Sequence, residues 1–488
     1  MRFFCSPFVP SRDKLCTGAA LRNCGENYGT TIDRIIYKSG CLLIGSTFKH
    51  VAFDMKVISD IVENERTWLD TAESISLNLS EIWSGDLLKP DGKIDVFDFF
   101  SGCGGMSAGF ASVNHAFPAY RLAMAVDLDD DANATYCTNL GLKPHKIDIA
   151  QLAEDCSAAK ELINEARQSQ NSPFVMIGCA PCQGFSSHRN ASGEVDKRNS
   201  LFTSFARIAC AAQPDAIIIE NVPEILTDRY WPLVEASREM FAANGYFSHL
   251  SVHDMAEFGV PQHRYRALLI AMKRPFKAPQ GFVSREHSRT VRDAIGNLPS
   301  IVPGHPSTSD PMHFTAGHRQ TTIDTIKRVP LNGGSRPFDA GPDCLRRAAN
   351  KSGRAAYEDV YGRLWWDKPA ITITAYARNP ASGRYVHPEQ HRGLSVREAA
   401  LLQSFPQHFY FEGSFDSKFR QIGNAVPPAF SSYLASHLLI EIHRDSSVTA
   451  ASDGINVPVG PTFSRLIPAL KAGHRNLETS LRAKKLVA

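Results

Sequence analysis

Short apolar runs alternate with amphipathic stretches from residue 94 onward. Six of these runs have the length and composition of buried strands, and they span residues 95–99, 121–126, 174–178, 216–220, 248–253 and 266–272. Strand-like runs that alternate with helical stretches are typical of an α/β fold with a largely parallel sheet. The pattern therefore predicts an α/β domain over residues 91–274.

The sequence on either side of this domain has a different composition and a different hydrophobic periodicity. Apolar positions recur at helical intervals between residues 54 and 82, which predicts one or two packing helices in an N-terminal extension, 1–90, of unassigned role. Prolines, glycines and histidines are frequent over residues 275–390 and predict a smaller, irregular domain. Helical periodicity returns over residues 395–404 and 428–442 within a C-terminal segment, 391–445. Residues 446–488 have the composition of a linker followed by a basic tail.

Composition narrows the class of protein. Lys and Arg number 53 against 50 Asp and Glu, and this net charge of +3 neither indicates nor excludes a nucleic-acid partner. No apolar run approaches the roughly 18 residues of a membrane span, and residues 3–10 make a poor signal peptide, so we expect a cytoplasmic protein without a membrane partner. The 11 scattered cysteines favour reduced thiols over disulfides, and no metal site is expected.

A glycine-rich turn follows the first predicted strand and contains Phe100, Gly102 and Gly104. Glycines at a strand-to-helix turn let a ligand approach the backbone, which favours a nucleotide-like cofactor. Asp127 closes the second strand, where a carboxylate can accept both hydroxyls of a ribose. Asp148 lies in a further predicted short strand, 147–149, and is placed to meet an adenine edge. A structural turn and a dinucleotide site are the alternatives at this point.

Reactive and charged side chains follow the later strands. Cys179 and Cys182 come directly after the strand 174–178, where open α/β sheets bind ligands. Their spacing also permits a redox pair or half of a zinc site. Glu220 ends the next strand and is a candidate acid, because partial burial raises a carboxyl pKa. Arg264 and Arg266 alternate along an extended segment and suit anion binding, with surface ion pairs as the alternative.

In their order along the chain, these motifs resemble those of the DNA cytosine-5 methyltransferases. The resemblance covers about residues 94–272 and 392–442. It is carried by Phe100-Ser101-Gly102-Cys103-Gly104, Pro181-Cys182, Glu220-Asn221-Val222, Gln262-His263-Arg264-Tyr265-Arg266, Arg397-Glu398 with Leu402-Gln403-Ser404-Phe405-Pro406, and Gly423-Asn424-Ala425-Val426-Pro427-Pro428. The chain departs from the family pattern at Asp127, where Glu is common, at Ala180, where Pro is common, and at Lys197, which stands in place of a Pro.

The resemblance implies a Rossmann-like, S-adenosylmethionine-dependent methyltransferase domain with a target-recognition domain over residues 275–390. The implied reaction methylates carbon 5 of cytosine in a specific sequence of double-stranded DNA. Cys182 would add to carbon 6 of a flipped-out base, Glu220 would hold ring nitrogen 3, and Arg264 and Arg266 would orient the base. The residues implied to hold S-adenosylmethionine are Phe100, Gly102, Gly104, Asp127, Asp148 and Asn424, the last of which requires the C-terminal segment to pack back on the catalytic domain.

The implied partner is double-stranded DNA. If the enzyme belongs to a restriction-modification system, a restriction endonuclease that acts separately is a second partner; otherwise it is a solitary modification enzyme. We expect a monomer. A transfer-RNA cytosine-5 methyltransferase is an alternative, but the Cys-Phe-Thr sequence of those relatives is absent from the later part of the chain. A catalytically silent DNA-binding relative and a dehydrogenase built on the glycine turn are the remaining alternatives.

Overall fold

The computed structural model describes residues 65–89, 91–181, 200–347, 357–444 and 454–455. The predicted nucleophile Cys182, residues 1–64 of the N-terminal extension and most of the tail 446–488 lie outside the described residues.

All six predicted strands form, and with one further strand they build a single sheet of order β2-β1-β3-β4-β6-β5-β7. The strands are β1 Ile94–Phe99, β2 Tyr120–Val126, β3 Phe174–Gly178, β4 Ala216–Asn221, β5 Phe247–Asp254, β6 Tyr265–Met272 and β7 Gly454–Ile455. The pairs β1–β2, β1–β3, β3–β4 and β5–β7 are parallel, whereas β6 runs antiparallel to both β4 and β5. The predicted α/β class with a mostly parallel sheet is confirmed.

Helices connect the strands, and two of them precede the first strand. The α-helices are α1 Glu65–Leu77, α2 Leu79–Ile82, α3 Gly105–Val113, α4 Asp130–Leu140, α5 Ile149–Leu152, α6 Cys156–Ala166, α7 Leu201–Ala212, α8 Trp231–Ala243, α9 Val291–Ile295, α10 Gln320–Lys327, α11 Asp343–Arg347, α12 Val396–Leu402, α13 Phe415–Asn424 and α14 Pro428–His443. Short 3₁₀ helices lie at Gly85–Leu87, Pro223–Leu226, Met255–Phe258, Arg285–His287 and Pro380–Ser382. Among the described residues, no helix is long and apolar enough to cross a membrane.

The strand predicted over residues 147–149 is wrong. Only His145 pairs with the sheet, through an isolated bridge to Val126, and the chain then turns into α5. Asp148 is the N-cap of this helix, and its side chain accepts a hydrogen bond from the Ala150 amide at 2.9 Å. An Asp that caps a helix stabilises its first turn, and this local bond outweighs the strand preference of the two isoleucines beside it.

The helix α14 is central to the core, because its residues 428–442 are all buried. It packs on α3, which is also buried along its whole length. The two helices approach closely at Gly109, where a Cβ atom would lie 2.4 Å from the Cβ of Ser431. On another side of α14, the Trp68 indole of α1 donates a hydrogen bond to the Ser436 carbonyl at 3.0 Å. The helix α14 of the C-terminal segment therefore packs against α3, and α1 is part of the same core.

The segment 275–390 is irregular and is held together by buried guanidinium groups. Arg336, Arg363 and Arg384 of this segment, and Arg392 just beyond its end, are each at most 3% exposed. Arg363 donates hydrogen bonds to four main-chain carbonyls, those of Ile326, Val329, His387 and Gln390, and to a ring nitrogen of His391. Loops leave carbonyls without the partners that helices and sheets supply, and a guanidinium with five N–H donors satisfies several at once. These arginines are structural in this segment.

Candidate functional site

The sheet brings the predicted site residues to one edge. Phe99, Gly178 and Asn221 end three parallel strands, and Phe99 pairs with Gly178 in the register of the sheet. Residues just past parallel strand ends meet at the same edge, where open α/β sheets bind ligands. Because β6 is antiparallel, its beginning lies at this edge as well, with Ala267 opposite Asn221. Arg264, just before β6, and Arg266, the second residue of β6, therefore reach the same place as Glu220.

A cavity of about 310 Å³ opens at this edge. Eight of the ten predicted site residues line it, namely Phe100, Gly102, Asp127, Asp148, Glu220, Arg264, Arg266 and Asn424. Gly104 is described but is not among the lining residues. Cys182 lies outside the described residues, although Pro181, which precedes it, lines the cavity.

The glycine turn has an unusual backbone. Phe100, Gly102 and Gly104 all have positive φ angles, of 58°, 53° and 88°. A left-handed conformation is unfavourable for a side chain such as that of Phe100, so the surrounding structure must maintain it. A Cβ on Gly102 would meet no atom within 4 Å, which leaves room for a ligand beside the backbone. A Cβ on Gly104 would instead lie 2.5 Å from Leu140, so this glycine permits the packing of α4.

Asp127 is hydrogen-bonded to the glycine turn. Its Oδ2 accepts from the Gly102 amide at 2.8 Å, and its Oδ1 accepts from the Asp129 amide at 2.9 Å. Burial raises the pKa of Asp127, and the two amide hydrogen bonds oppose that rise. Each carboxylate oxygen can accept a further hydrogen bond, so the group remains a suitable acceptor for ligand hydroxyls.

Glu220 and Arg266 form an ion pair inside the cavity. The Arg266 Nε lies 2.9 Å from Glu220 Oε1, and both side chains are largely buried. The neighbouring Asn221 donates from Nδ2 to the Ala180 carbonyl at 3.2 Å. Asn221 therefore fixes the turn immediately before Pro181 relative to the strand that carries Glu220.

Arg264 has different contacts from Arg266. It is 1% exposed, and its guanidinium donates to the carbonyls of Ile373, Gly423 and Ala425 at 2.9–3.1 Å. Gln262 acts in the same region: its side chain donates to the Leu402 carbonyl at 2.8 Å and accepts from the Ile373 amide at 2.9 Å. These contacts join the start of β6 to segments more than 100 residues later. The sequence did not separate the roles of the two arginines.

A buried acid network beside the cavity was not predicted. Asp98, 1% exposed, accepts a hydrogen bond from the Ser107 hydroxyl at 2.6 Å, and Ser107 accepts one from the Tyr136 hydroxyl at 2.8 Å. Asp98 also lines the cavity. Burial raises the pKa of Asp98 to about 7, against a smaller opposing effect of the Ser107 hydrogen bond. The sequence could have indicated this network, because Asp98 lies within the predicted strand that became Ile94–Phe99, and a charged residue in a buried strand must itself be buried.

Replacement of Asp98 by asparagine is expected to change the pH dependence of stability. Between about pH 4 and 7 the folded protein keeps a proton that unfolded Asp98 releases, so this group's contribution to stability falls as the pH rises. Asparagine has no such proton, and the variant should therefore gain about 2–4 kcal/mol relative to the wild type between pH 4 and pH 8. Urea unfolding across this range measures the gain.

The matched control is Asp155→Asn, which changes an exposed carboxylate that caps α6. Asparagine and aspartate cap helices about equally well, so the stability of this variant should stay close to that of the wild type over the same pH range. An Asp98→Asn difference that is equally constant would contradict the raised pKa of Asp98.

Cys179 also lines the cavity. Burial, together with the nearby carboxylates of Glu220 and Asp98, raises the pKa of its thiol well above the ordinary value. A thiol with a raised pKa stays protonated near neutral pH, and the protonated form is a poor nucleophile. This environment does not favour Cys179 as the reactive cysteine of the Cys-x-x-Cys sequence.

Comparison with known proteins agrees with this arrangement of sheet and cavity. The family model for the C-5 cytosine-specific DNA methylase matches residues 94–439. The chain is 32% identical over 349 residues to the type II methylase M.HgiDII of Herpetosiphon aurantiacus, covering 70% of this chain and 94% of that protein. It is 31% identical over 355 residues to the type II methyltransferase M1.HphI of Haemophilus parahaemolyticus, covering 71% and 87%.

Among solved structures, a prophage-encoded protein of E. coli assigned to the DNA modification methyltransferases matches 71% of this chain and 98% of its own, with a TM-score of 0.50 and 23% identity. This likeness concerns the fold. The fold together with the family match thus defines a Rossmann-like methyltransferase. The match over residues 94–439 identifies the chain further: it belongs to the C-5 cytosine-specific DNA methylase family and is a DNA cytosine methyltransferase.

Proposed function

We propose that this enzyme transfers a methyl group from S-adenosylmethionine to carbon 5 of cytosine within a specific sequence of double-stranded DNA. The observation that carries the proposal is the single cavity in which the glycine turn and Asp127 lie together with Glu220, Arg266 and Pro181. A cofactor pocket and a base pocket that share one cavity allow direct transfer between the two bound molecules.

The described residues fit the cofactor. S-adenosylmethionine supplies, when bound, the electrophilic methyl group that carbon 5 receives. The open space beside Gly102 admits a ligand against the backbone, and Asp127 keeps acceptor capacity for ribose hydroxyls. Phe100, Asp148 and Asn424 all line the cavity. Phe100 would offer its ring to the adenine, Asp148 would accept from the adenine amino group, and Asn424 would border the cofactor from the C-terminal segment.

Cys182 is the proposed nucleophile. Its thiolate adds to carbon 6 of the cytosine, which makes carbon 5 nucleophilic; after methylation the carbon 5 proton leaves and the Cys182–carbon 6 bond breaks. Glu220 holds ring nitrogen 3 and stabilises the charge that develops there as sulfur adds. The hydrogen bond from Asn221 to the Ala180 carbonyl holds the backbone just before Pro181, the last described residue ahead of Cys182.

The two arginines take different parts in this proposal. Arg266, paired with Glu220, orients that carboxylate and the base. Arg264 is a positioning residue, because its guanidinium is committed to three carbonyls of the segments around Ile373 and Gly423. The target base must leave the duplex to reach the cavity, at a cost of a few kcal/mol in lost stacking and pairing.

The remaining proposals concern the surroundings of the reaction. We assign target recognition to residues 275–390, as the family resemblance implies. Relatives named type II methyltransferases support a modification enzyme, with a separate restriction endonuclease as partner. A cytoplasmic monomer remains our expectation.

Bisulfite sequencing tests the function. Purified protein is incubated with S-adenosylmethionine and unmethylated genomic DNA, and reactions without S-adenosylmethionine serve as the control. Protection of cytosines in one short sequence context is expected. Absence of protection, from protein that binds S-adenosylhomocysteine, would contradict the proposal; methyl transfer to transfer RNA instead would favour the alternative substrate.

A further inference from the structure

The segment 372–379 is attached directly to the wall of the cavity. The Thr372 hydroxyl donates to the His263 carbonyl at 2.7 Å, and the Ile373 carbonyl accepts from Arg264. At Gly423 the fit is so close that a Cβ atom would lie 2.1 Å from the Ala375 amide nitrogen. Since Arg264 and Gly423 line the cavity, the backbone up to Ala375 is fixed relative to the bound base.

Tyr376 is the exposed tip of this attached segment. Its side chain is 57% exposed, whereas Ala377 beside it is fully buried. The Tyr376 carbonyl accepts from the Asn379 amide at 3.0 Å and from the Ser382 hydroxyl at 2.6 Å. Two hydrogen bonds therefore hold the backbone that presents the ring.

Arg378 supports the ring and the loop together. Its guanidinium lies 5.5 Å from the centre of the Tyr376 ring, donates to the Ala375 carbonyl and pairs with Asp416 of α13 at 2.8 Å. The helix α13 ends at the cavity residues Gly423 and Asn424. The ring is thus pre-positioned by contacts to both walls of the cavity, and a rigid aromatic side chain loses little conformational entropy on binding.

We propose that the Tyr376 ring stacks on the base that loses its neighbour when the target cytosine leaves the duplex. This inference rests on the proposed function. Removal of one base from a duplex exposes an adjacent base face, and an aromatic side chain can cover such a face whatever the base. The contact would be made only after flipping, so Tyr376 is a positioning residue that favours the flipped state.

The test uses a duplex that contains the target sequence mapped by bisulfite sequencing, with 2-aminopurine in place of the target cytosine. Its fluorescence rises when the base unstacks. With S-adenosylhomocysteine present, Tyr376→Ala should lower both the fluorescence gain and the duplex affinity at least about fivefold, as expected for loss of one base-stacking contact. Tyr376→Phe should stay within about twofold of the wild type, because stacking uses the ring and not the hydroxyl.

The matched control is Tyr410→Ala, which removes another exposed tyrosine, 37% exposed, that lies outside the 275–390 segment and does not line the cavity, so it should leave both values unchanged. The affinity for S-adenosylhomocysteine reports folding and should be equal in all variants. Full fluorescence and duplex affinity in Tyr376→Ala would overturn the inference while the proposed function stands. Equal losses in Tyr376→Ala and Tyr376→Phe would show a role of the hydroxyl and contradict stacking. A wild type that transfers no methyl group to duplex DNA would refute the proposed function itself.

Discussion

Cys182→Ser is expected to lower methyl transfer at least about 1,000-fold while the affinity for S-adenosylhomocysteine stays within about twofold. A serine hydroxyl is far less ionised near neutral pH than a cysteine thiol, so it adds poorly to carbon 6 of the base. Initial rates with labelled S-adenosylmethionine on duplex DNA, and calorimetry with S-adenosylhomocysteine, measure the two quantities.

Cys179→Ala is the matched control for this prediction, because Cys179 is the other thiol of the same Cys-x-x-Cys sequence. Its raised pKa predicts that the variant keeps substantial activity. If the Cys179→Ala protein is inactive but its cofactor affinity is unchanged, the nucleophile is Cys179 and our assignment to Cys182 is wrong. Equal loss of cofactor binding and transfer in Cys182→Ser would make the role of Cys182 structural.

Arg363→Met is expected to lower the free energy of unfolding by at least about 3 kcal/mol, because each buried carbonyl left without a donor costs about 1–3 kcal/mol. Methionine fills most of the arginine volume but donates no hydrogen bond, so the carbonyls of Ile326, Val329, His387 and Gln390 would lose this donor. Burial already lowers the pKa of Arg363 to about 10, which shows how far the guanidinium is removed from water. Urea unfolding followed by fluorescence measures the change.

Arg292→Met provides the comparison, since Arg292 pairs with Asp367 where both side chains are more than half exposed. An exposed pair contributes about 0–1 kcal/mol, so this variant should unfold close to the wild type. Similar unfolding curves for the two variants would mean that the buried guanidinium does not hold the segment together.

The sheet could be predicted from the sequence because its strands are short and several of them, such as Phe174–Gly178 and Ala216–Asn221, are largely apolar. Every residue of Ile94–Phe99 and Ala216–Asn221 is buried, and such runs have few alternatives in a chain of this length. The helix Phe415–Asn424 was missed, although Ser414 caps it and Phe415, Phe419 and Ile422 recur at helical spacing. The helix has only 10 residues and its apolar face only these three, so the periodic signal is short.

Residues of the candidate site could be predicted where a reactive or charged side chain stands at the end of a predicted strand. Glu220, Asp127 and Cys179 each follow or end a strand, and the parallel register alone brings them together. The contacts of Arg264 were not predictable, because its carbonyl partners lie more than 100 residues away and depend on packing. The roles of Arg336 and Arg363 were not predictable either, because both are buried donors to loop carbonyls.

The packing of α14 on α3 has a consequence for the order of events on the ribosome. The glycine turn and α3 are synthesised more than 300 residues before the helix Pro428–His443 that buries them. Until that helix emerges, the apolar surface of α3 has no cover, and neither Gly423 nor Asn424 is present to close the cavity. Although domains generally fold as they emerge, N-terminal first, this enzyme must wait for almost its whole chain before it can bind a cofactor. A nascent chain that stops short of residue 443 therefore exposes an apolar surface that chaperones bind, and it cannot yet catalyse methyl transfer.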